Sequence, residues 1–258
     1  MRLSVPATRW LLIALLLAFW EIAARAGWIA ELFLPPLTTT IAAAVENYRQ
    51  YAGALAVTLY EVAVSLVLAC GGGIVTGAII GSVPLLRTLL LPLISSFYAI
   101  PLVIIYPLFV VWLGLGSPSK IAFASIIGFF PAALSTAAGI QTIDPQLVLA
   151  ARSMGATTWQ RLRRVLIPAA IPTVLSGLRL GGALTIVGVV LSEMLVSSHG
   201  IGYLITFYRQ SLDGPRIYAA ILLVLALAVG FDAFVQLLER RTSAWRPARR
   251  AEQAAPRS

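Results

Sequence analysis

Six long apolar segments with few charged residues constrain this chain more than any other feature of its sequence. A membrane-spanning helix needs about 20 apolar residues, and each segment is long enough for this role, although the first is short. Because lipid offers no hydrogen-bonding partner to an exposed backbone, closed helices are expected in all of them. The sequence therefore predicts an all-α, polytopic membrane protein with six transmembrane helices. The segments cover residues 10–24, 55–80, 89–113, 121–143, 169–196 and 217–238.

The composition excludes several other classes of protein. Of the 258 residues, 59% are hydrophobic and 11% are charged, whereas an ordinary soluble domain has about 25% charged residues. A soluble globular enzyme, a disordered chain and a water-exposed coiled coil are therefore excluded. The single cysteine, Cys70, also excludes an internal disulfide bond and a cysteine-based metal site.

The distribution of basic residues predicts how the chain crosses the membrane. If the N-terminus starts inside and the six spans alternate, most of the 19 basic residues lie on the inner side, and Arg179 lies within a span. This asymmetry follows the positive-inside rule, so both termini are expected in the cytoplasm. The net charge of +9 therefore fits membrane orientation better than nucleic-acid binding. The outer basic residues are Arg25, Arg49, Lys120, Arg209 and Arg216.

The N-terminal segment has two interpretations. Basic residues, an apolar run and the small residues around Arg25 resemble a secretory signal with a cleavage site. Alternatively, Glu21 and Arg25 would pair on a retained helix that continues to Trp28 at the membrane interface. We favour the retained helix; cleavage would leave five spans and would not change the topology of the rest.

A short external helix is predicted between the first two spans. The threonines from Thr38 to Thr40 follow a break at Pro35 and Pro36 and are suited to cap a helix. Apolar residues then recur at helical spacing, which indicates an ordinary connecting helix on the outer membrane surface. These residues are Ile41, Ala44, Val45, Tyr48 and Ala52.

Small residues and prolines predict how the helices pack. A stripe of small residues at every fourth position of the second span lets another backbone approach closely, and Gly177 and Gly181 repeat this spacing in the fifth. Prolines interrupt the third and fourth spans, which are expected to kink or partly unwind. The freed carbonyls need partners, so such a break fits both a solute pathway and a plain structural bend. The stripe is Ser65, Ala69, Gly73, Gly77 and Gly81, and the prolines are Pro92, Pro101, Pro107 and Pro131.

Charged residues inside the predicted spans need partners. Arg179 and Asp232 both lie in the cytoplasmic half of a span, and we predict that they form an interhelical structural ion pair. Glu193 lies near the outer end of the fifth span, where it is suited to line a gate, to act as a cap or to lie at the membrane interface. The candidates for the pathway or its gate are Pro101, Tyr106, Pro107 and Glu193.

The longest basic loop between spans, residues 144–168, predicts a defined shape. Asp144 is a good N-cap and Pro145 a favoured first helical residue, so a short helix is expected over residues 146–154. Gly155 can adopt the left-handed conformation that ends this helix. Thr157 and Gln160 have the spacing of a capping box that opens a second helix. We call residues 144–168 the elbow; caps on both of its helices favour a rigid docking element over a solvated basic loop.

The elbow resembles the EAA loop of the permease subunits of ABC importers. That motif reads Glu-Ala-Ala-x3-Gly-x9-Ile-x-Leu-Pro, and the chain matches it at Ala150-Ala151, Gly155, Val165 and Ile167-Pro168. One position departs from the motif, because Leu149 stands where the motif has Glu. Further segments resemble the sulfonate/nitrate/taurine branch of these permeases. They are Ile100-Pro101, Tyr106-Pro107-Leu108, Trp112-Leu113-Gly114-Leu115-Gly116, Phe130-Pro131, Glu193-Met194 and Gly200-Ile201-Gly202-Tyr203-Leu204.

This resemblance implies a division of labour between subunits. The elbow would insert as a coupling helix into a separate ATP-binding subunit, which would bind ATP and Mg²⁺; this chain would bind no cofactor itself. Two permease copies would face two ATPase copies, and an extracytoplasmic solute-binding protein would deliver the solute. Hydrolysis would rock the elbows as rigid bodies and switch the pathway between the two sides of the membrane. The coupling residues would be Leu149, Ala150, Ala151, Arg152, Gly155, Ala156, Arg161, Ile167 and Pro168.

The resemblance also implies a location and a solute. The chain would be a bacterial inner-membrane protein with an N-terminal transmembrane helix and external surface helix (1–54), a five-helix permease core (55–240) and a basic cytoplasmic tail (241–258). The solute would be a small anion such as a sulfonate, taurine or nitrate, although relatives in this branch also carry thiamine-precursor pyrimidines. Three outer residues, Arg209, Arg216 and His199, would favour anions. Specificity in such systems rests largely with the binding protein.

Other function classes find less support. The only lysine, Lys120, lacks the spacing of a phosphate-binding loop, so this chain is not expected to hydrolyse ATP. No nucleophile-elbow or zinc-hydrolase motif is present and His199 is the only histidine, so we assign no catalytic and no metal-binding residues. An ion-coupled secondary transporter that acts without an ATPase is the alternative, although the sequence shows no clear internal repeat.

Overall fold

The structure, a computed structural model, describes residues 5–243, and this part of the chain is helical and contains no strand. The all-α prediction is therefore confirmed, and the basic tail beyond residue 243 lies outside the described residues. In chain order the helices are α1 (Val5–Arg25), α2 (Leu37–Glu46), α3 (Tyr48–Ser82), α4 (Pro84–Ala99), α5 (Tyr106–Leu113), α6 (Ser117–Gln141), α7 (Pro145–Ser153), α8 (Thr158–Arg161), α9 (Ile167–Leu195), α10 (Ile201–Gln210) and α11 (Gly214–Ser243). A 3-10 turn (Leu102–Ile105) precedes α5, and a π-helical turn (Leu162–Leu166) joins α8 to α9.

Helices that can cross a membrane occur where the sequence predicts the second to sixth spans. By length and composition, α3, α6, the run Trp159–Leu195 that includes α9, and Gly214–Arg241 of α11 qualify. The bent pair formed by α4 and the segment Leu102–Leu113 adds one more span if it is counted as one. The described residues therefore contain up to five such spans. The helix α1 has 21 residues, and its role as a sixth span stays a prediction.

The third predicted span is broken near two of its prolines. The two parts of this span are bent by 79°. Pro101 directly precedes the 3-10 turn and Pro107 lies at the start of α5, where a missing N–H interrupts no helical hydrogen bond. Pro92 and Pro131 instead lie inside α4 and α6, which continue past them. The predicted break is therefore confirmed for the third span, whereas α6 does not unwind at its proline.

The first helix ends earlier than predicted. It stops at Arg25 and does not reach Trp28, because Gly27 adopts a φ of 71° and turns the chain. The backbone N–H groups of Gly27 and Trp28 then donate to the carbonyls of Ala24 and Ala23, each at 3.3 Å. This pattern closes the C-terminus of a helix in the usual way.

The predicted surface helix is divided in two. The helix α2 starts after Pro36 without a side-chain cap, so the threonine cap predicted from the sequence is wrong. Thr39 and Thr40 lie in the first turn instead, and their hydroxyls donate to the carbonyl of Pro36 at 2.8 and 3.0 Å. The helix then ends at Glu46, and Tyr48 already belongs to α3.

The described residues form two compact units. The first contains residues 5–61 and 189–227, and the second contains residues 62–188 and 228–243. In the first unit, α10 packs into a buried apolar cluster. That cluster consists of Tyr51, Ile201, Leu204, Ile205, Tyr208, Ala219 and Ala220.

In the second unit, small residues set the distance between helices. A Cβ added at Gly77 of α3 would collide with the carbonyl oxygen of Ala133 in α6. A Cβ at Gly181 of α9 would lie 2.7 Å from the carbonyl oxygen of Gly128, also in α6. The small-residue faces of α3 and α9 therefore both pack closely on α6, which confirms the packing predicted from their spacing.

Candidate coupling elbow and pathway residues

The first helix of the elbow begins as the sequence predicts. Helix α7 starts at Pro145, directly after its N-cap Asp144. The carboxylate of Asp144 accepts a hydrogen bond from the backbone N–H of Gln146 at 2.9 Å. Asp144 thus satisfies one of the backbone donors that a helix N-terminus leaves without an intrahelical partner.

The same helix ends in a closed C-terminal cap. Gly155 adopts a φ of 73°, and its N–H donates to the carbonyl of Arg152 at 2.9 Å. The N–H of Ala156 donates to the carbonyl of Ala151 at 3.0 Å. These two bonds form a Schellman motif, which requires a left-handed residue at the position that Gly155 occupies.

A reciprocal capping box opens the second helix of the elbow. The backbone N–H of Thr157 donates to the side-chain oxygen of Gln160 at 2.8 Å, and the N–H of Gln160 donates to the Thr157 hydroxyl at 3.3 Å. The short α8 follows and runs through the π-helical turn into α9. The caps predicted for the elbow are all present, so its shape is fixed by local hydrogen bonds.

The surface of the elbow combines exposed apolar side chains with arginines. Leu149 is 65% exposed and Met154 is 80% exposed, and Arg163 and Arg164 are exposed as well. No acidic residue occurs between positions 145 and 166. Among the other predicted coupling residues, Ala150, Arg152, Gly155, Ile167 and Pro168 are exposed, Ala156 and Arg161 are half-buried, and Ala151 is buried.

The predicted pathway residues of the third span lie in different surroundings. Pro101 and Pro107 are exposed and flank the 3-10 turn at the break. Tyr106 is only 1% exposed, and its ring centroid lies 4.9 Å from that of Phe123. With Phe109, these two rings form an aromatic cluster inside the second unit. Tyr106 therefore packs in a core, and the prolines mark the bend.

Glu193 lies in the interior of the first unit. It is 1% exposed, accepts a hydrogen bond from the Thr58 hydroxyl and accepts another from the backbone N–H of Gly202. Of the roles predicted from the sequence, this geometry is that of a cap. Thr58 and Glu193 lie 135 positions apart in the chain, and nothing in the sequence pairs them.

The structure brings the two predicted ion-pair residues together. Nε of Arg179 lies 3.0 Å from Oδ1 of Asp232, and Nη2 of Arg179 lies 3.4 Å from Oε2 of Glu239. The side-chain amide of Gln236 donates to Oδ2 of Asp232 at 2.6 Å. Sequence reasoning missed Glu239 and Gln236, although both follow Asp232 at helical spacing and share its helix face.

Among the described residues, no group of three or more histidine, cysteine, aspartate or glutamate side chains is arranged to hold a metal ion. The carboxylates of Asp144 and Glu193 instead accept hydrogen bonds at helix N-termini, and those of Asp232 and Glu239 lie beside Arg179.

Comparison with known proteins identifies relatives that cover most of the chain. Residues 73–244 match the family described as binding-protein-dependent transport system inner membrane component. The chain is 30% identical over 238 residues to SsuC of Bacillus subtilis, a permease protein named for aliphatic sulfonates transport, with 92% of this chain and 86% of SsuC covered. It is 30% identical over 244 residues to the taurine transport system permease protein TauC of Escherichia coli, with 90% and 87% covered.

Solved ABC transporters share the fold. The inward-facing MetNI methionine ABC transporter aligns with a TM-score of 0.61 at 20% identity, over 76% of this chain and 95% of that chain. A bacterial alginate ABC transporter in complex with its alginate pentasaccharide-bound periplasmic protein aligns with a TM-score of 0.60 at 20% identity, over 90% and 94%. The chain belongs to the family of binding-protein-dependent transport system inner membrane components and is the permease component of an ABC importer.

Proposed function

We propose that two copies of this permease form the translocation pathway for a small anion and couple it to ATP hydrolysis on a separate subunit through the elbow. The observation that carries this proposal is the capped geometry of the elbow. Hydrogen bonds at Asp144, Gly155 and Thr157 hold it in one shape, while its apolar side chains and arginines stay exposed.

The chemistry of the exposed elbow indicates what kind of surface it would meet. Leu147 and Met154 lie seven residues apart on one helix face, and both are more than half exposed. Arg152, Arg163 and Arg164 are exposed around them and make this surface basic, so a partner with an apolar cleft and acidic residues at its rim would fit best. That partner would be the ATPase, which would bind ATP and Mg²⁺. At Leu149 the contact would be apolar where the EAA motif offers a carboxylate.

A second copy of the permease would account for the exposed ion pair. The side chains of Arg179 and Asp232 are 41% and 46% exposed in a single chain, although they lie on helices that can cross a membrane. A charged side chain that faces lipid is costly. We therefore infer that this face of the second unit meets a water-filled pathway between two permease copies.

The proposed solute is a small anion of the sulfonate or taurine type. Support comes from SsuC and TauC, whose names refer to these solutes and which match about nine-tenths of this chain. On the proposed outer side, Arg216 forms an ion pair with Asp213 at 2.6 Å, which offsets its charge. Arg209 and His199 are exposed, so they are the outer groups best placed to attract an anion.

The proposed location is the bacterial inner membrane with both termini in the cytoplasm. This orientation places the elbow on the side where ATP is available, and it follows the distribution of basic residues. A basic tail after α11 would then also lie on the cytoplasmic side.

Purification of the tagged permease from its native membranes in a mild detergent tests the partner proposal. We expect mass spectrometry to find an ATP-binding subunit at a one-to-one ratio to the permease. Recovery of the chain alone, with its elbow intact, would contradict the coupling proposal and would favour the ion-coupled alternative.

Reconstitution of the purified complex into proteoliposomes tests the solute. With the binding protein added outside, we expect ATP-dependent uptake of labelled taurine that unlabelled alkanesulfonates compete away. A non-hydrolysable ATP analogue inside the liposomes is the matched control and should abolish uptake. ATP-dependent uptake of a labelled thiamine-precursor pyrimidine, with no uptake of taurine, would contradict the anion proposal and leave the importer role intact.

A further inference from the structure

The first unit contains a buried carboxylate on which three segments of the chain converge. Oε1 of Glu193, in α9, accepts a hydrogen bond from the hydroxyl of Thr58, in α3, at 2.7 Å. Oε2 of Glu193 accepts from the backbone N–H of Gly202, in α10, at 2.7 Å. The oxygen of Thr58 in turn accepts from the backbone N–H of Ile201 at 2.9 Å. One carboxylate and one hydroxyl thus connect α3, α9 and the start of α10.

These contacts supply the N-terminal cap that α10 lacks on its own. Its N-cap residue, Gly200, has no side chain to offer, so the first N–H groups of the helix need other acceptors. Thr58 and Glu193 provide those acceptors, and the partial positive charge of a helix N-terminus also stabilises a carboxylate. Thr58 and Glu193 are 0% and 1% exposed, so both side chains are shielded from solvent.

Two glycines make room for this carboxylate. A Cβ added at Gly200 would collide with the carboxylate of Glu193, and a Cβ at Gly202 would lie 2.7 Å from the Cβ of Glu193. Gly200 also adopts a φ of 103°, which other residues rarely tolerate. Gly200 and Gly202 therefore leave the space in which Glu193 caps the start of α10.

The rest of α10 is fixed to the same two helices. The hydroxyl of Thr206 donates to the carbonyl of Met194 at 3.1 Å, and the hydroxyl of Tyr208 donates to Oε1 of Gln50 at 2.6 Å. Burial raises the pKa of Tyr208 above its ordinary value, so its hydroxyl keeps the proton that it donates. Helix α10 is thereby attached to α3 and α9 along its whole length.

We propose that Glu193 is a positioning residue that makes α10 move as one body with the outer ends of α3 and α9 during transport. This inference rests on the proposed function, in which α10 belongs to the side where the solute is delivered. Glu193 acts on α10 directly through the backbone N–H of Gly202 and indirectly, through the Thr58 hydroxyl, on that of Ile201. Without its contacts, we expect the start of α10 to open while the elbow and its docking are unchanged.

The conservative pair Thr58→Val and Thr58→Ser provides the sharpest test. Valine keeps the size of threonine and removes the hydroxyl that bonds Glu193 and Ile201, whereas serine keeps it. In the purified complex with Thr58→Val, we expect amide hydrogen exchange at Ile201 and Gly202 to speed up by about tenfold or more. ATP-dependent uptake should fall by a similar factor while basal ATP hydrolysis is retained, and Thr58→Ser should match the wild type in all three measurements.

A double-variant comparison tests whether the two side chains act together. Glu193→Gln keeps the size of the side chain but turns an amide N–H₂ toward one of the two donors. If both residues serve one cap, the double variant Thr58→Val with Glu193→Gln should lose no more uptake than the more impaired of the two single variants. Losses that multiply would overturn the shared cap.

Other outcomes separate this inference from the proposed function. Unchanged exchange at Ile201 and Gly202 in Thr58→Val would overturn the inference, and so would faster exchange with normal uptake. A wild-type complex without ATP-dependent uptake would instead overturn the proposed function, and with it the transport part of this inference. Size-exclusion chromatography of each variant identifies misfolding, and the Thr58→Ser protein is the folded reference.

Discussion

At the scale of the residue, Gly155 is constrained by its backbone conformation and not by its neighbours. Its φ is 73°, yet a Cβ added there would meet no atom within 4 Å. Any effect of a substitution must therefore come from the left-handed conformation, which costs an ordinary residue about 1–2 kcal/mol. Asparagine tolerates this conformation better than other residues do, because its side chain bonds locally to the backbone.

This difference gives a prediction for the elbow. Gly155→Val should open the C-terminal cap of α7, so the permease should insert and fold but lose solute-stimulated ATP hydrolysis in the reconstituted complex. Gly155→Asn, the matched control, should keep most of the stimulation. Normal stimulation in Gly155→Val would show that the cap has no part in coupling.

At the scale of the element, the α3–α6 contact depends on which face of α3 a glycine occupies. Gly77 faces α6, where a Cβ would collide with the carbonyl oxygen of Ala133, whereas a Cβ at Gly71 would meet no atom within 4 Å. The same substitution on one helix should therefore have opposite effects. Overpacking costs about 1–3 kcal/mol, while alanine in place of an unconstrained helix glycine gains up to about 1 kcal/mol.

We predict that Gly77→Ala lowers the thermal stability of the detergent-solubilised protein and that Gly71→Ala leaves it equal or higher. Heating followed by fluorescence-detected size exclusion measures both variants under the same conditions. Equal losses in the two variants would mean that glycine flexibility, and not close helix packing, is what the stripe provides.

The ion pair between α9 and α11 also belongs to this scale. Arg179→Ala and Asp232→Ala should each reduce uptake by about tenfold, since each removes the ion pair that joins α9 to α11 and leaves its charge partner unpaired at the proposed pathway. The exchange of the two residues, Arg179→Asp with Asp232→Arg, should restore much of the uptake. Glu239→Gln should have a smaller effect, because Arg179 keeps its closer contact with Asp232. A charge exchange as inactive as the single variants would contradict a structural pair.

At the scale of the whole molecule, the sequence predicts what depends on local or periodic patterns. The elbow caps follow from residues within five positions of one another, and the spans follow from runs of apolar residues. The contact of Thr58 with Glu193 joins residues 135 positions apart, and no periodic pattern encodes such a pair. The threonine cap predicted for α2 is wrong because the sequence does not fix which residue begins that helix. Several residues offered a start for that helix, and its N-cap is Pro36, two positions before Thr38.

Cysteine labelling can determine on which side of the membrane the elbow lies. With Cys70 replaced by alanine, Ser153→Cys in the elbow and Ser198→Cys after α9 each provide a single exposed thiol. The excess of arginine around the elbow predicts that Ser198→Cys reacts with a membrane-impermeant maleimide in intact cells and Ser153→Cys only after permeabilisation. The opposite labelling would place the elbow on the side of the membrane without ATP, and no coupling helix could work there.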